Sequence, residues 1–230
     1  MTPDFSVVIP TRNREDYLQE AVASVLAQQS VSLELLVVND GDASTAAFDD
    51  PRITVLDNRK RTAVPARNMG VDHARGRFVA FLDDDDWWID SYHLAKANAA
   101  FAAHRDFYFA DGVMMFPDGT QKPFARSATA ASLEKDNTIL ISAVCYRRSI
   151  HGALGRFDES IPYYWDWDWY LRVARGGFRF FHQRDAAVAI RVHPGNMSGQ
   201  NEEPRRRDLS LLEIKHKLPP IPLKSHIDFV

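Results

Sequence analysis

Residues 74–88 read ARGRFVAFLDDDDWW, in which an apolar run, Phe78 to Leu82, leads directly into four aspartates, Asp83 to Asp86. A short apolar run of this kind is typical of a strand that is buried on both faces of a sheet. The aspartates then lie at the carboxyl end of the strand, where open α/β sheets bind their ligands. The stretch therefore predicts a strand and a site together.

Strand-like and helix-like stretches alternate on both sides of this motif. The strand-like stretches are Phe5 to Ile9, Leu33 to Val38 and Ile53 to Leu56, and the helix-like ones are Glu15 to Gln28, Ala63 to Ala74 and Ser91 to His104. Such alternation predicts a mostly parallel sheet with helices on both faces. Two of these strands end in Thr11-Arg12-Asn13 and Asn39-Asp40, so their polar groups are expected at the same edge as the aspartates.

The second half of the chain is less regular. We expect strands over 106–116, 143–147, 178–181 and 187–192, and a helix over 167–175. A single domain should therefore span 1–200. Residues 201–230 are interpreted as a polar, proline-containing tail with one helix at most, Arg205 to Lys217. Such a tail is either disordered or docks on an anionic membrane surface or another subunit, including a second copy of the chain.

The composition excludes several classes of protein. The chain has 230 residues, of which 45% are hydrophobic and 26% charged, as in an ordinary globular domain. A net charge of -3 gives no support for nucleic-acid binding, and the single cysteine, Cys145, excludes an intrachain disulfide. We find no signal peptide and no apolar stretch of the roughly 20 residues that span a membrane. We therefore expect a cytoplasmic protein, which could still touch the inner face of a membrane.

The four aspartates are the first candidate site. Adjacent carboxylates repel one another, and a hard divalent cation such as Mn²⁺ or Mg²⁺ removes that cost. The alternative is a solvated acidic turn or a helix N-terminus, where aspartate is favoured without a metal.

Three other positions carry suitable chemistry. Asp40 can accept a hydrogen bond from a nucleobase N–H, although Asp-Gly is also a common turn. Arg67 can neutralise a diphosphate, whereas the run Arg59-Lys60-Arg61 is better explained as a solvated face. His193 is a candidate metal ligand or diphosphate contact, or a purely structural histidine.

The octet Tyr163 to Tyr170, YYWDWDWY, combines two acids with six aromatic residues. Aromatic rings stack on sugars, and an adjacent carboxylate can bind a hydroxyl or remove its proton. The alternative is a helix start packed in the core, with Asp166 or Asp168 as its cap.

Taken in order, these motifs resemble glycosyltransferase family 2, a family of inverting enzymes with the GT-A fold. The matching stretches, between about Phe5 and Ser198, are SVVIPTRNREDYLQEAVASVLAQ, LLVVNDGD, PARNMG, ARGRFVAFLDDDDWW, GRFDES, DWDWYLRVARGG and RVH. The resemblance implies a Rossmann-like central sheet, mostly parallel, and a smaller mixed sheet on the acceptor side. It also implies a nucleotide-sugar-binding half over 1–104 and an acceptor-binding half over 105–200.

The resemblance implies roles at matching positions: Asp40 for the base, Asp83, Asp85 and Asp86 for metal and ribose, and Asp166 as catalytic base. The full expected set is Pro10, Thr11, Asn13, Asp40, Arg67, Asp83 and Asp84 for the donor, Asp85, Asp86 and His193 for the metal, and Trp87, Trp165, Trp167 and Asp168 for the acceptor. Two positions depart from the pattern, since Trp165 and Asn39 stand where the family has acids.

The implied reaction moves a sugar from a nucleotide-diphosphate sugar to a glycan, a lipid-linked saccharide or a small-molecule acceptor, with Mn²⁺ or Mg²⁺ as cofactor. Two other functions stay open. One is a nucleotidyltransferase that makes the sugar nucleotide, although the loop Thr11-Arg12-Asn13-Arg14 lacks the glycines of a phosphate loop. The other is a non-catalytic nucleotide-sugar or carbohydrate-binding module.

Overall fold

The computed structural model describes residues 2–42, 48–58, 60, 62–196 and 202–230. Its strands are β1 (Phe5–Thr11), β2 (Leu33–Asn39), β3 (Ile53–Asp57), β4 (Phe78–Phe81), β5 (Trp87–Trp88), β6 (Phe107–Met115), β7 (Gln121–Phe124), β8 (Val144–Arg147) and β9 (Phe180–Arg191). Its helices are α1 (Glu15–Leu26), α2 (Ala63–His73), α3 (His93–Ala102), α4 (Ala130–Leu133), α5 (Ile150–Leu154), α6 (Trp165–Arg175) and α7 (Glu202–His216).

These strands form one sheet in the order β3-β2-β1-β4-β8-β6-β9-β5, with β7 paired to β6. The first four strands in the chain are parallel, and Phe5 of β1 lies between Leu33 of β2 and Phe78 of β4. The predicted α/β alternation is confirmed. The strands of the second half continue the same sheet instead of forming a separate smaller one, and apart from the parallel pair β6–β9 they pair antiparallel.

The core has two layers, one on each face of the sheet. Because side chains alternate along a strand, β1 sends Val8 to one face and Val7 and Ile9 to the other. Helices α2, α6 and α7 cover the first face, and α1 and α3 cover the second. Every residue of β1 and β2 is buried, which explains why these strands appear in the sequence as continuous apolar runs.

The strand β9 is longer than expected. The sequence predicts two strands over 178–181 and 187–192, but the structure has one strand of 12 residues. Its pairing with β6 shifts register around Asp111, so the polar residues in the middle of β9 fit a bulge instead of ending the strand. As a result, β9 runs across the sheet and carries Arg191 towards the end of β4.

The C-terminal residues do not form the free tail that composition suggests. Helix α7 buries Leu209 and Leu212 against the sheet, and Ile221 is buried after it. The carboxylate of Asp208, fully buried, accepts a hydrogen bond from the backbone N–H of Tyr163 (3.1 Å). Each buried leucine contributes roughly 1.5–3 kcal/mol to folding, so this segment is part of the domain.

Helices long and apolar enough to cross a membrane are absent from the described ranges.

Candidate active site

A cavity of 590 Å³ lies at the carboxyl ends of β1, β2 and β4, within the usual size range of small-molecule sites. Most of the expected residues line it: Pro10, Thr11, Asp40, Arg67, Asp83, Asp84, Asp85, Asp86, Trp165, Asp166 and Trp167. Four expected residues, Asn13, Trp87, Asp168 and His193, are not part of the lining. The octet and the aspartate run, which are far apart in sequence, therefore share one cavity.

Three of the four aspartates form a cluster. Asp83, Asp85 and Asp86 each place a carboxylate oxygen within 4.8 Å of the others, and no other set of residues in the described ranges forms such a group. Asp86 is buried and accepts hydrogen bonds from the Ser142 hydroxyl (2.5 Å) and the Arg191 backbone N–H (3.1 Å). Burial, together with the charges of Asp85 and Asp83, raises the pKa of Asp86 well above its ordinary value.

Asp84 has a different task from its neighbours. One carboxylate oxygen accepts from the Thr11 hydroxyl (2.8 Å) and the Arg12 backbone N–H (3.3 Å), and the other accepts from the Arg14 guanidinium (3.2 Å). Burial raises the pKa of Asp84 to about 6. Both carboxylate oxygens of Asp84 bind the start of the loop after β1, so Asp84 fixes one wall of the cavity. It is therefore less available than its neighbours to bind the expected nucleotide-sugar donor.

Asp85 lies between two basic side chains. Its Oδ2 accepts from Arg14 (2.6 Å) and is 2.9 Å from His193 Nε2. The Gly195 backbone N–H donates to His193 Nδ1 (2.9 Å), so a neutral ring carries its proton on Nε2 and donates it to Asp85. His193 therefore lies beside the acidic cluster and contacts one of its carboxylates, and its role as a metal ligand stays a prediction.

Asp40 and Arg67 line the cavity on the side of β2 and α2. The Asn58 amide donates to the Asp40 carboxylate (2.7 Å), and burial raises the pKa of Asp40. Helix α2 approaches β1 closely, because a Cβ on Gly70 would lie only 2.4 Å from a Val8 methyl carbon. This close packing brings the buried Arg67 guanidinium into a hydrogen bond with Asp83.

Asn13 is not part of the cavity lining. It has a positive φ of 56°, a conformation that asparagine tolerates, and its side-chain oxygen accepts from the Asp42 backbone N–H (3.3 Å). Lys60 forms an exposed ion pair with Glu159, as expected for a solvated face. Arg59 and Arg61 lie outside the described residues.

Asp166 lies at the second position of α6 and faces the cavity. The Asn137 amide donates to its Oδ2 (2.9 Å), and the Trp167 backbone N–H donates to its Oδ1 (2.8 Å). Burial raises the pKa of Asp166 to about 6, although Asn137, Trp167 and the charge of Arg67 act in the opposite direction. A buried carboxylate whose pKa lies near neutrality is suited to general-base chemistry.

Both tryptophans beside Asp166 line the cavity but are mostly buried. The Trp165 ring lies 4.7 Å from the Arg67 guanidinium, and the Trp167 indole N–H donates to the Leu133 carbonyl (2.6 Å). Their packing holds both rings in place, so the parts that line the cavity form a rigid contact surface for a ligand.

The expected acceptor residues Asp168 and Trp87 lie elsewhere. Asp168 is fully buried and binds Arg172 (2.9 Å), Lys215 (2.7 Å) and His216 (2.8 Å), so it joins α6 to α7. Trp87 lies on β5, where its ring packs against the Arg191 guanidinium at 4.7 Å. The burial and ion pairs of Asp168 correct the expectation for that residue, whereas the acceptor role of Trp87 stays a prediction.

The sequence analysis missed several residues of the cavity. Arg14, Asn137 and Ser142 contact the central aspartates, and the C-terminal segment adds part of the wall. The wall residues from that segment are Arg205, Leu209, Ile221, Pro222, Lys224, Ser225, His226, Ile227 and Phe229. The spacing of Leu209 and Leu212 could have indicated a packed helix, whereas Asn137 has no sequence signal of its own.

The chain is similar to known glycosyltransferases. The sequence profile of Glycosyl transferase family 2 matches residues 6–158. A Bacillus subtilis (strain 168) protein named uncharacterized glycosyltransferase YwdF is 30% identical over an alignment of 238 positions, gaps included, which covers 96% of this chain and 87% of that protein. A shorter match, 39% identical over 90 residues and 36% of each protein, is to the Escherichia coli UDP-Glc:alpha-D-GlcNAc-diphosphoundecaprenol beta-1,3-glucosyltransferase WfgD.

Two solved structures show the same fold. S. aureus TarS 1–349 in complex with UDP-GlcNAc matches with a TM-score of 0.72 and 20% identity, over 92% of this chain and 66% of that one. The mannosyltransferase PcManGT from Pyrobaculum calidifontis, in complex with GDP-Man and Mn²⁺, matches with a TM-score of 0.68 and 17% identity, over 96% of this chain and 66% of that one. The chain thus spans slightly less than two thirds of either protein. These likenesses confirm the predicted GT-A fold.

Proposed function

Since the chain belongs to glycosyltransferase family 2 and is a glycosyltransferase, we propose that it uses a nucleotide-diphosphate sugar and transfers the sugar to an acceptor hydroxyl with inversion. The observation that carries the proposal is a single cavity in which Asp40, the aspartate cluster and Asp166 meet. Groups suited to a nucleobase, a diphosphate and a proton transfer therefore line the same cavity.

The donor binds on the side of β1, β2 and α2. The Asp40 carboxylate accepts an N–H from uracil, thymine or guanine, and its bond from Asn58 fixes its orientation. The proposal agrees with the two similar structures, which are complexes with the nucleotide sugars UDP-GlcNAc and GDP-Man. Arg67, held against Asp83, adds positive charge next to the diphosphate position.

The aspartate cluster fits a hard divalent cation. All its ligand atoms are carboxylate oxygens, which Mn²⁺ and Mg²⁺ prefer, and they are close enough together for one ion. A cation also offsets the repulsion and burial that raise the pKa of Asp86. When bound, such an ion neutralises the charge that develops on the leaving diphosphate.

Asp166 acts as the general base. With a pKa raised to about 6, it is mostly ionised at pH 7 and can still accept the proton of an acceptor hydroxyl. The hydroxyl then attacks the anomeric carbon from the side opposite the diphosphate, and this single displacement inverts the configuration. The acceptor lies against Trp165, Trp167 and the C-terminal wall; glycans, lipid-linked saccharides and small molecules are the candidates.

Donor binding provides the first test. Calorimetry with uridine, thymidine and guanosine diphosphates, with and without Mn²⁺, should reveal one preferred nucleotide and a dependence on the metal. Asp85→Ala should abolish the metal-dependent part, whereas Asp16→Asn, which changes an exposed acid on α1, should not. Equal binding by the unmodified protein with and without Mn²⁺ would contradict the metal assignment.

Sugar transfer provides the second test. Asp166→Asn should keep donor binding and lose roughly 10²-fold or more in turnover, the usual scale for loss of a general base. NMR of the product should show the anomeric configuration opposite to that of the donor, and a retained configuration would refute direct displacement. Release of pyrophosphate from a nucleoside triphosphate and a sugar 1-phosphate would instead identify a nucleotidyltransferase.

A further inference from the structure

Asn137 lies in the wall of the cavity, on the segment between α4 and the 3₁₀ turn Ile141–Ala143. Its Nδ2 donates to Asp166 Oδ2 (2.9 Å), while the Trp167 backbone N–H holds the other carboxylate oxygen (2.8 Å). An ionised carboxylate can only accept hydrogen bonds, so the amide nitrogen of Asn137, and not its oxygen, must face Asp166. The orientation of the whole amide group is thereby fixed.

The Oδ1 atom of the same amide is buried and has no hydrogen-bond partner among the described residues. Buried polar atoms without a partner are rare in folded proteins, so this oxygen in the cavity wall is free to accept a hydrogen bond. Because the amide is planar and its nitrogen is bound to Asp166, this free oxygen lies directly beside the carboxylate.

The other groups around Asp166 cannot supply this contact. Arg67 and Asp83 act on it through their charges. The Tyr170 hydroxyl is not part of the cavity lining, and the Tyr164 hydroxyl lies beside Arg205 at the N-terminus of α6. Trp165, the preceding residue, covers the Arg67 guanidinium and has no acceptor oxygen. Asn137 is therefore the neutral group that combines a donor to the carboxylate with a free acceptor.

We infer that Asn137 aligns the acceptor, an inference that rests on the proposed function. Its Nδ2 holds Asp166, and its Oδ1 accepts a hydrogen bond from an acceptor hydroxyl next to the one that reacts. The first hydroxyl donates its proton to Asp166 and attacks the donor sugar. This pairing favours acceptors with neighbouring hydroxyl groups, as on a sugar ring, over acceptors with a single isolated hydroxyl.

Two variants separate the halves of this role. Asn137→Leu has a similar size but removes both polar atoms, and it should raise the KM for the acceptor about tenfold with donor affinity unchanged, as expected for one lost hydrogen bond. Asn137→Asp is isosteric and keeps the acceptor oxygen but loses the N–H donor. It should retain most acceptor affinity and shift the acid limb of kcat to higher pH, because a second carboxylate then faces Asp166. Asn98→Leu, on α3 and outside the cavity lining, is the matched control.

The hydrogen bond from Asn137 to Asp166 can be tested by a titration that does not depend on turnover. Carboxyl ¹³C NMR, with the Asp166 signal assigned from Asp166→Asn, should show a higher pKa for Asp166 in Asn137→Leu than in the unmodified protein, since the amide hydrogen bond lowers it. An unchanged Asp166 pKa and an unchanged acceptor KM would overturn the inference while the transferase function stands. Absence of any sugar transfer by the unmodified protein would overturn the proposed function, and the acceptor role with it.

Discussion

Replacement of Asp168 by asparagine tests whether this residue holds the fold together or binds the acceptor. Its carboxylate is fully buried and contacts three basic side chains, Arg172, Lys215 and His216. Removal of one partner from a buried ion pair costs about 3–5 kcal/mol, because the remaining charge is left uncompensated. The Lys215 and Arg172 side chains are 35% and 18% exposed, so water partly compensates them, and we expect about 3 kcal/mol.

Differential scanning calorimetry measures this loss directly. For a chain of 230 residues, about 3 kcal/mol corresponds to a fall in Tm of roughly 6–12 °C. Asp72→Asn is the matched control, since Asp72 forms an exposed ion pair with Arg156 that should contribute about 0–1 kcal/mol. The KM values of Asp168→Asn for donor and acceptor should stay unchanged below its Tm.

The pH dependence of stability gives a second measure of the same contact. The Asp168 pKa is lowered: burial acts to raise it, but hydrogen bonds from His216 and Lys215 and the charge of Arg172 outweigh this effect. A depressed carboxyl pKa stabilises the fold at neutral pH, and this contribution is lost as the pH falls below about 4. The difference in unfolding free energy between variant and unmodified protein should therefore shrink in acid. An unchanged Tm together with a raised acceptor KM would refute the reasoning.

Two further predictions concern the cavity. At saturating donor, kcat should rise with pH through about 6, because Asp166 must lose its proton to act as base. The pKa of Asp84 is also raised to about 6, so calorimetry of donor binding over the same pH range separates its titration from that of Asp166. A midpoint of the kcat profile below pH 5 would contradict the assignment. Arg14→Gln should tighten Mn²⁺ binding about three- to tenfold, or about 1 kcal/mol, because Arg14 competes with a cation for Asp85. Arg52→Gln, which changes an exposed arginine outside the cavity lining, is the control, and equal or weaker Mn²⁺ affinity in Arg14→Gln by calorimetry would count against this competition.

The first half of the fold follows from the sequence because its physical causes are local. Strands buried on both faces appear as continuous apolar runs, and parallel strands connected by helices must bring their carboxyl ends to one edge. For that reason the sequence predicts Asp40 and Asp83 at a common site, and the cavity contains both. The expected helix Arg205 to Lys217 agrees with α7 within a few residues, but the arginines and prolines around it dominate the composition and give no sign of its packing.

The two acids of the octet show what pattern alone does not decide. Residues two apart on a helix point about 200° apart, so a helix that begins at Trp165 sends Asp166 and Asp168 to opposite sides. Only Asp166 reaches the cavity. Asn137 could not be found in this way, because it lies on an irregular segment and meets Asp166 only through the tertiary fold, 29 positions along the chain.

The contacts of Asp85 and Asp86 limit how this protein can be divided or recombined. Both aspartates belong to the first half of the chain, yet Ser142, Arg191 and His193, which hold them, all come from the second. A chimera that joins residues 1–104 to the second half of another transferase would keep the acidic motif intact in sequence but remove the donors to Asp86 from Ser142 and Arg191 and leave Asp85 with Arg14 alone. Exchange of acceptor specificity by grafting must therefore preserve the 3₁₀ turn at Ile141–Ala143 and the end of β9, and change only the walls around them.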